Sequence, residues 1–241
     1  MVNFQKEHYS YEDMLEIMRL LRAPGGCPWD AEQTHESIRR NFLEETCEAV
    51  EAIDNHDMPA LCEELGDVLM QVIFHAQMEA EVGGFTMQDV IDGLCRKLVY
   101  RHPHVFSDVK VKDSDEVLVN WEALKRKEKS QRSTADAIDA VAKTLPALWR
   151  AEKMESKAAK AGFAWPEGSD GALRKLEEEV GELRSAAESG NVDGRHGIRE
   201  EVGDVLFMAA QVAQSHGVDP EAALHAACDK FARRFRGVEE G

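Results

Sequence analysis

The chain has 241 residues, 43% of them hydrophobic and 31% charged, and a formal net charge of −17 at pH 7. That balance predicts a soluble globular protein long enough for two domains, each with its own core. The acidity argues against a nucleic-acid partner, whose backbone needs a basic surface, and no apolar run is long enough to span a bilayer, so no membrane partner is expected.

At the N-terminus, Lys6, Glu7 and His8 stand where a signal peptide would need an apolar stretch, so a cytoplasmic location is expected. Cys27, Cys47, Cys62, Cys95 and Cys228 are odd in number and form no C-x-x-C pair. Falling mostly inside apolar helical patterns, they are expected to be reduced, buried thiols.

A loop with Gly25-Gly26-Cys27-Pro28-Trp29-Asp30 comes first, too short with Ala23-Pro24 for a P-loop and lacking G-K-[ST]. Glu44-Glu45-x-x-Glu48 follows, then Glu63-Glu64-x-x-Asp67. Around the second pair, Leu61, Leu65, Val68, Leu69, Val72, Ile73 and Ala76 recur at helical spacing. Basic residues then concentrate from Lys97 to Arg101, beside the turn carrying His102 and His104, for which a structural or surface role is expected.

Residues 107–136 are rich in Lys, Asp, Glu and Ser, with a helix expected near Trp121 to Lys129 and a polar break at Ser130 to Thr134. Pro146 is placed to open the first helix of the second half. There the same order returns: a loop with Gly162-Phe163-Ala164-Trp165-Pro166, Ser169 and Asp170 as expected helix caps, Glu178-Glu179-x-x-Glu182, Glu200-Glu201-x-x-Asp204, an apolar stripe from Val202 to Ala213, and basic residues from Lys230 to Arg236. Trp29 and Trp165 are expected to anchor their loops in preference to stacking on a base. The reading is all-α: two tandem helical bundles, residues 1–130 and 145–241, joined by a linker at 131–144.

Acids three apart lie on one helix face, so antiparallel pairing of two such helices brings four carboxylates together. Like charges at that spacing repel, and with no Lys or Arg expected beside them a bound hard cation offsets the repulsion. Oxygen-only ligands select Mg²⁺ or Mn²⁺ over zinc. Gly66 and Gly203 sit inside these helices at a cost of roughly 1 kcal/mol each relative to Ala, which suits close approach of a neighbouring helix or a ligand.

Together with Gln33-Thr34-His35-Glu36-Ser37, Arg101-His102-Pro103-His104-Val105-Phe106 and Lys230-Phe231-Ala232-Arg233-Arg234-Phe235, these motifs resemble the MazG family of tandem-domain nucleoside triphosphate pyrophosphohydrolases over almost the whole chain. The resemblance implies the all-α NTP pyrophosphatase fold, a homodimer, Mg²⁺ dependence, and hydrolysis of NTPs to NMP and diphosphate in nucleotide-pool housekeeping. It implies metal ligands at Glu179, Glu182, Glu201 and Asp204, with first-domain counterparts Glu45, Glu48, Glu64 and Asp67. Substrate contacts are implied at Lys175, Leu176, Glu177, Glu178, Arg199, Glu200, Asp204, Lys230, Phe231, Arg233 and Arg234, with Lys97 and Arg101 matching two basic positions in the first domain. Gly197 stands where some relatives place a Lys.

Attack of water at the α-phosphorus then needs a proton acceptor, expected at Glu178 or Glu179 and correspondingly at Glu44 or Glu45. Two rival classes also use acidic helices. A di-iron bundle needs Glu-x-x-His twice, and only Glu32-x-x-His35 fits. A helical nucleotide-sensing or protein-interaction module would bind NTP without turnover.

Overall fold

The computed structural model describes residues 5–128, 133–163 and 168–239, and the chain divides into two compact units, residues 1–121 and 122–241. Among the described residues every regular element is a helix. Lys129, most of the expected break at 130–134, and Ala164, Trp165 and Pro166 lie outside them.

In the first unit, α1 (Tyr11–Arg22) starts at a capping box in which Ser10 and Asp13 satisfy each other's backbone N–H groups. A short α2 (Pro28–Glu32) leads to the two long acidic helices, α3 (Arg39–Asp54) and α4 (Met58–Glu81), packed together along their lengths. Asp57 caps α4 by accepting from the Ala60 N–H, and only Asn55, His56 and Asp57 separate the two helices. The core gathers at the far end of α4, where Ile73, Phe74 and Met78 meet Met18 and Ile38. The unit continues with α5 (Met87–Arg101) and α6 (Pro103–Phe106), and the boundary between units falls within α7 (Ser114–Glu128).

The expected stripe on α4 is therefore half core. Ile73 and Ala76 are buried, whereas Leu65 is 55% exposed and Leu69 is also exposed. Leu43, Val50 and Ile53 on α3 are exposed as well.

The second unit holds α8 (Thr134–Asp139), α9 (Ala147–Ala159), α10 (Ser169–Ser189), α11 (Ile198–Ser215) and α12 (Pro220–Glu239). Its acidic helices α10 and α11 pair as α3 and α4 do, with α9 packed on α11 and α12 against both α9 and α11. Ala137, Ala151, Ala172, Ala186 and Ala210 make up most of the buried apolar residues, which lets backbones approach closely. Asp219 caps α12, accepting from the Glu221 and Ala222 N–H groups and from the Trp149 indole N–H.

Three expectations are corrected. Ser169 and Asp170 are the first residues inside α10; Gly168, at φ 63°, occupies the cap position and makes no side-chain bond there. Pro146 precedes α9 as its cap residue, and α8 already lies ahead of it in the second unit. The cysteines are free but not buried: Cys47, Cys62, Cys95 and Cys228 are exposed and Cys27 is half-buried, because the positions they fill face away from the small cores.

Candidate metal centres

Each unit carries an acidic centre built by its pair of long helices. In the first, one carboxylate oxygen from each of Glu45 and Glu48 on α3 and Glu64 on α4 lies within 4.8 Å of the others. Asp67, one turn further along α4, is close enough to act on both Glu45 and Glu64. Partial burial pushes the Glu45 carboxyl above the usual range, and Asp67, Glu48 and Glu44 add to the rise. Glu64 is raised in the same direction, again first by desolvation and then by Glu48, Asp67, Glu63 and Glu45. Glu44 stands apart, paired with Arg40 at 2.7 Å.

In the second unit two overlapping triads share one residue. Glu179, Glu201 and Asp204 bring ligand oxygens within 4.8 Å of one another, and Glu182, His196 and Glu201 do the same with a ring nitrogen included. Glu201 is 1% exposed, and its Oε2 is buried with no hydrogen-bond partner. Burial raises its pKa, Glu182 raises it further, and His196 opposes the rise. A buried carboxylate oxygen without a donor is costly unless something cationic meets it, so the donor set fits a divalent ion.

The acids are not free of basic neighbours, contrary to the expectation from sequence. Lys175 stands 2.8 Å from Glu178 and 2.8 Å from Glu179, of which Glu179 is 7% exposed. Those two carboxylates push the Lys175 ammonium well above its ordinary pKa. One turn of helix brings Lys175 to Glu178 and Glu179, and Arg40 to Glu44, so the counter-charge was present as i,i+3 and i,i+4 spacing.

The remaining expected contacts fall into three settings. Arg199 pairs with Asp193 at 2.7 Å, and the Glu200 carboxylate accepts the His196 N–H at 2.6 Å, so both pin the loop ahead of α11. Leu176 is half-buried and Glu177 exposed on α10. Lys230, Phe231, Arg233 and Arg234 are exposed on α12, Phe231 stacking with Phe235 at 6.3 Å; among the described residues none of the three cations is ion-paired to the acids. In the first unit Lys97 is half-buried, while Arg101 is 7% exposed with its guanidinium 5.3 Å from the Trp121 ring centre. His102 packs edge-on against the same ring and bonds Leu98 O, a structural role at the α5 terminus. Trp29 is 58% exposed on α2.

A Cβ built at Gly66 or Gly203 would meet nothing within 4 Å, so neither glycine is needed for packing within its unit. Two groupings went unread in the sequence. His196 sits in an irregular Gly-rich loop with no periodicity to place it. His35 and His75 face each other through ring nitrogens 2.7 Å apart, with Glu79 2.9 Å from His35, along an open cleft of about 760 Å³ also lined by Arg39, Phe42 and Phe85.

A sequence model of the MazG nucleotide pyrophosphohydrolase domain matches residues 33–106 and again residues 168–238. The chain is 43% identical over 227 residues to the nucleoside triphosphate pyrophosphohydrolase of Escherichia coli, covering 94% of this chain and 86% of that protein. It is 40% identical over 230 residues to the nucleoside triphosphate pyrophosphohydrolase/pyrophosphatase MazG of Thermotoga maritima, covering 95% and 86%. To the uncharacterized protein YabN of Bacillus subtilis it is 46% identical over 233 residues, covering 97% of this chain and 47% of YabN, so the chain spans about half the length of that relative.

Proposed function

The chain belongs to the MazG nucleotide pyrophosphohydrolase family, and on that premise we propose that it is a divalent-metal-dependent hydrolase cleaving nucleoside triphosphates to NMP and diphosphate. The observation that carries this reading is the buried, unpartnered Oε2 of Glu201 at the meeting point of two ligand triads. Glu179, Glu182, Glu201 and Asp204 would hold the ion in the second domain, and Glu45, Glu48, Glu64 and Asp67 in the first. Mg²⁺ is the expected ion, with Mn²⁺ as its substitute; when bound it neutralises phosphoryl oxygens and acidifies water.

The chain's own residues supply the rest. Water attacks the α-phosphorus, the bond from that phosphorus to the oxygen bridging to the β-phosphate breaks, and diphosphate leaves. Glu178 lies outside both ligand triads and on the same helix turn, so it is the carboxylate left to accept the water's proton; Glu44 is its first-domain counterpart. Lys175 neutralises Glu178 and Glu179, and with Glu179 engaged as a metal ligand its ammonium would be free to meet a phosphate. Lys230, Arg233 and Arg234 complete the phosphate contacts from α12, adding to the charge of Lys175.

A homodimer is part of the same proposal. Leu43, Val50, Ile53, Leu65 and Leu69 form an exposed apolar face on α3 and α4, and Gly66 leaves room there for close approach. The test of function is stoichiometric release of NMP and diphosphate from a panel of NTPs and dNTPs with Mg²⁺. Binding without release would favour a nucleotide sensor.

A further inference from the structure

We propose that His196 is a nitrogen ligand of the second unit's metal centre, so that this centre, unlike the all-oxygen first one, tightens on Mn²⁺ through an imidazole. The inference rests on the reading of the acidic quartet as a metal site.

The two units differ in the turn between their acidic helices. Three residues, 55–57, connect α3 to α4, but eight, 190–197, connect α10 to α11. The longer loop is built, not slack. Ile198 N–H donates to Asn191 O, Arg199 N–H to Val192 O, and Arg199 binds Asp193. The fold-back is close at Gly197, where a Cβ would sit 3.0 Å from Val192 O and 3.1 Å from Gly194 O.

The loop delivers His196 in a left-handed conformation, φ 57°, which His56 shares at φ 56° in the shorter turn of the first unit. That left-handed backbone costs on the order of 1 kcal/mol or more and is held by the bond from His196 N–H to Glu200. Its ring Nδ1 then stands 3.4 Å from Glu201 Oε1, longer than a charge-assisted hydrogen bond. Two donors each about 2.1 Å from one ion, at octahedral to tetrahedral angles, are separated by about 3.0–3.4 Å. The other Glu201 oxygen is buried and unpartnered, and Glu182 closes the triad. A purely electrostatic counter-ion would not leave the spare oxygen buried and unpartnered. An imidazole nitrogen adds affinity for first-row transition dications and little for Mg²⁺, so the nitrogen should be felt by Mn²⁺ and not by Mg²⁺ at this centre.

The test uses the whole chain carrying Glu48→Ala, which disables the first cluster, with and without His196→Asn. Asparagine tolerates the left-handed backbone, so the loop is preserved. Mn²⁺ electron spin-echo spectra should show directly bound imidazole nitrogen in the parent and lose it in the variant. Mn²⁺ affinity by equilibrium dialysis should fall roughly 10–100-fold while Mg²⁺ affinity stays within about twofold. Nitrogen coupling absent from the parent, coupling retained in His196→Asn, or Mn²⁺ bound as tightly by the variant would overturn the inference and leave the hydrolase reading intact. Failure of both proteins to bind Mn²⁺ or Mg²⁺ at all would overturn the inference and the metal dependence together.

Discussion

Lys175 and Glu179, one helical turn apart on α10, are joined by a 2.8 Å ion pair at the carboxylate that belongs to the second ligand cluster. On the proposed reading a metal would compete with the lysine for Glu179 and would release it on binding. Lys175→Met is expected to bind Mg²⁺ up to about fivefold more tightly in the absence of nucleotide, the equivalent of a ~1 kcal/mol ion pair. The same variant should lose about tenfold in KM for NTP, because a charged phosphate contact is gone. Calorimetry and diphosphate release read the two effects separately; weakened Mg²⁺ binding would contradict the exchange.

Much of this arrangement was legible in the residues. Doubled E-E-x-x-E and E-E-x-x-D spacings on helical stripes led to two facing acidic pairs, and the structure gathers carboxylates from both helices in each unit. What could not be read was set by loops and by surface context. His196 reaches the second cluster only through a left-handed residue and an eight-residue turn, neither of which leaves a periodic signal. Leu65 and Leu69 have the spacing of core residues, and nothing in spacing distinguishes a core from a face awaiting another chain. Cys47 and Cys62 lie on helices with apolar stripes but beside Glu48 and Glu63, on faces turned outward.

The α12 cap has a predictable pH signature. Asp219 is held below the usual aspartate pKa, first by the Ala222 N–H and then by the Trp149 indole and the Glu221 N–H. A depressed folded pKa contributes stability that is present above the unfolded value, about 3.9, and is lost as pH falls through the folded value. Asp219→Ala should cost about 1 kcal/mol at neutral pH by the loss of the cap. Asp219→Asn keeps an acceptor without the charge, so its stability difference from wild type should shrink on acidification through that window. A difference that grows towards acid in urea titrations would sink the assignment.

Removing metal should loosen the acidic helices. Chelation leaves Glu45 facing Asp67 and Glu48, and Glu201 facing Glu182 and Asp204. Mg²⁺ at about 100 times its Kd should stabilise the protein by ~2.7 kcal/mol, seen as a rise in Tm of several degrees over the chelated protein. Glu48→Ala and Glu182→Ala should each lose part of that rise, and a Tm insensitive to Mg²⁺ would count against a metal at either centre.

The exposed apolar face on α3 and α4 gives a separate test of assembly. Leu65→Glu together with Leu69→Lys changes side chains that bury little within their own unit, so helicity should be unchanged. Light scattering should then report conversion of a dimer to a monomer. A wild-type chain that is monomeric at micromolar concentration would contradict the proposed face.

The most direct test of the account is diphosphate release across an NTP and dNTP panel by the wild type, Glu48→Ala and Glu182→Ala. The wild type with Mg²⁺ or Mn²⁺ should release NMP and diphosphate in equal amounts. Glu182→Ala should lose on the order of 100-fold or more by removal of a metal ligand, while Glu48→Ala keeps the larger part. No diphosphate from any nucleotide with either ion would contradict it.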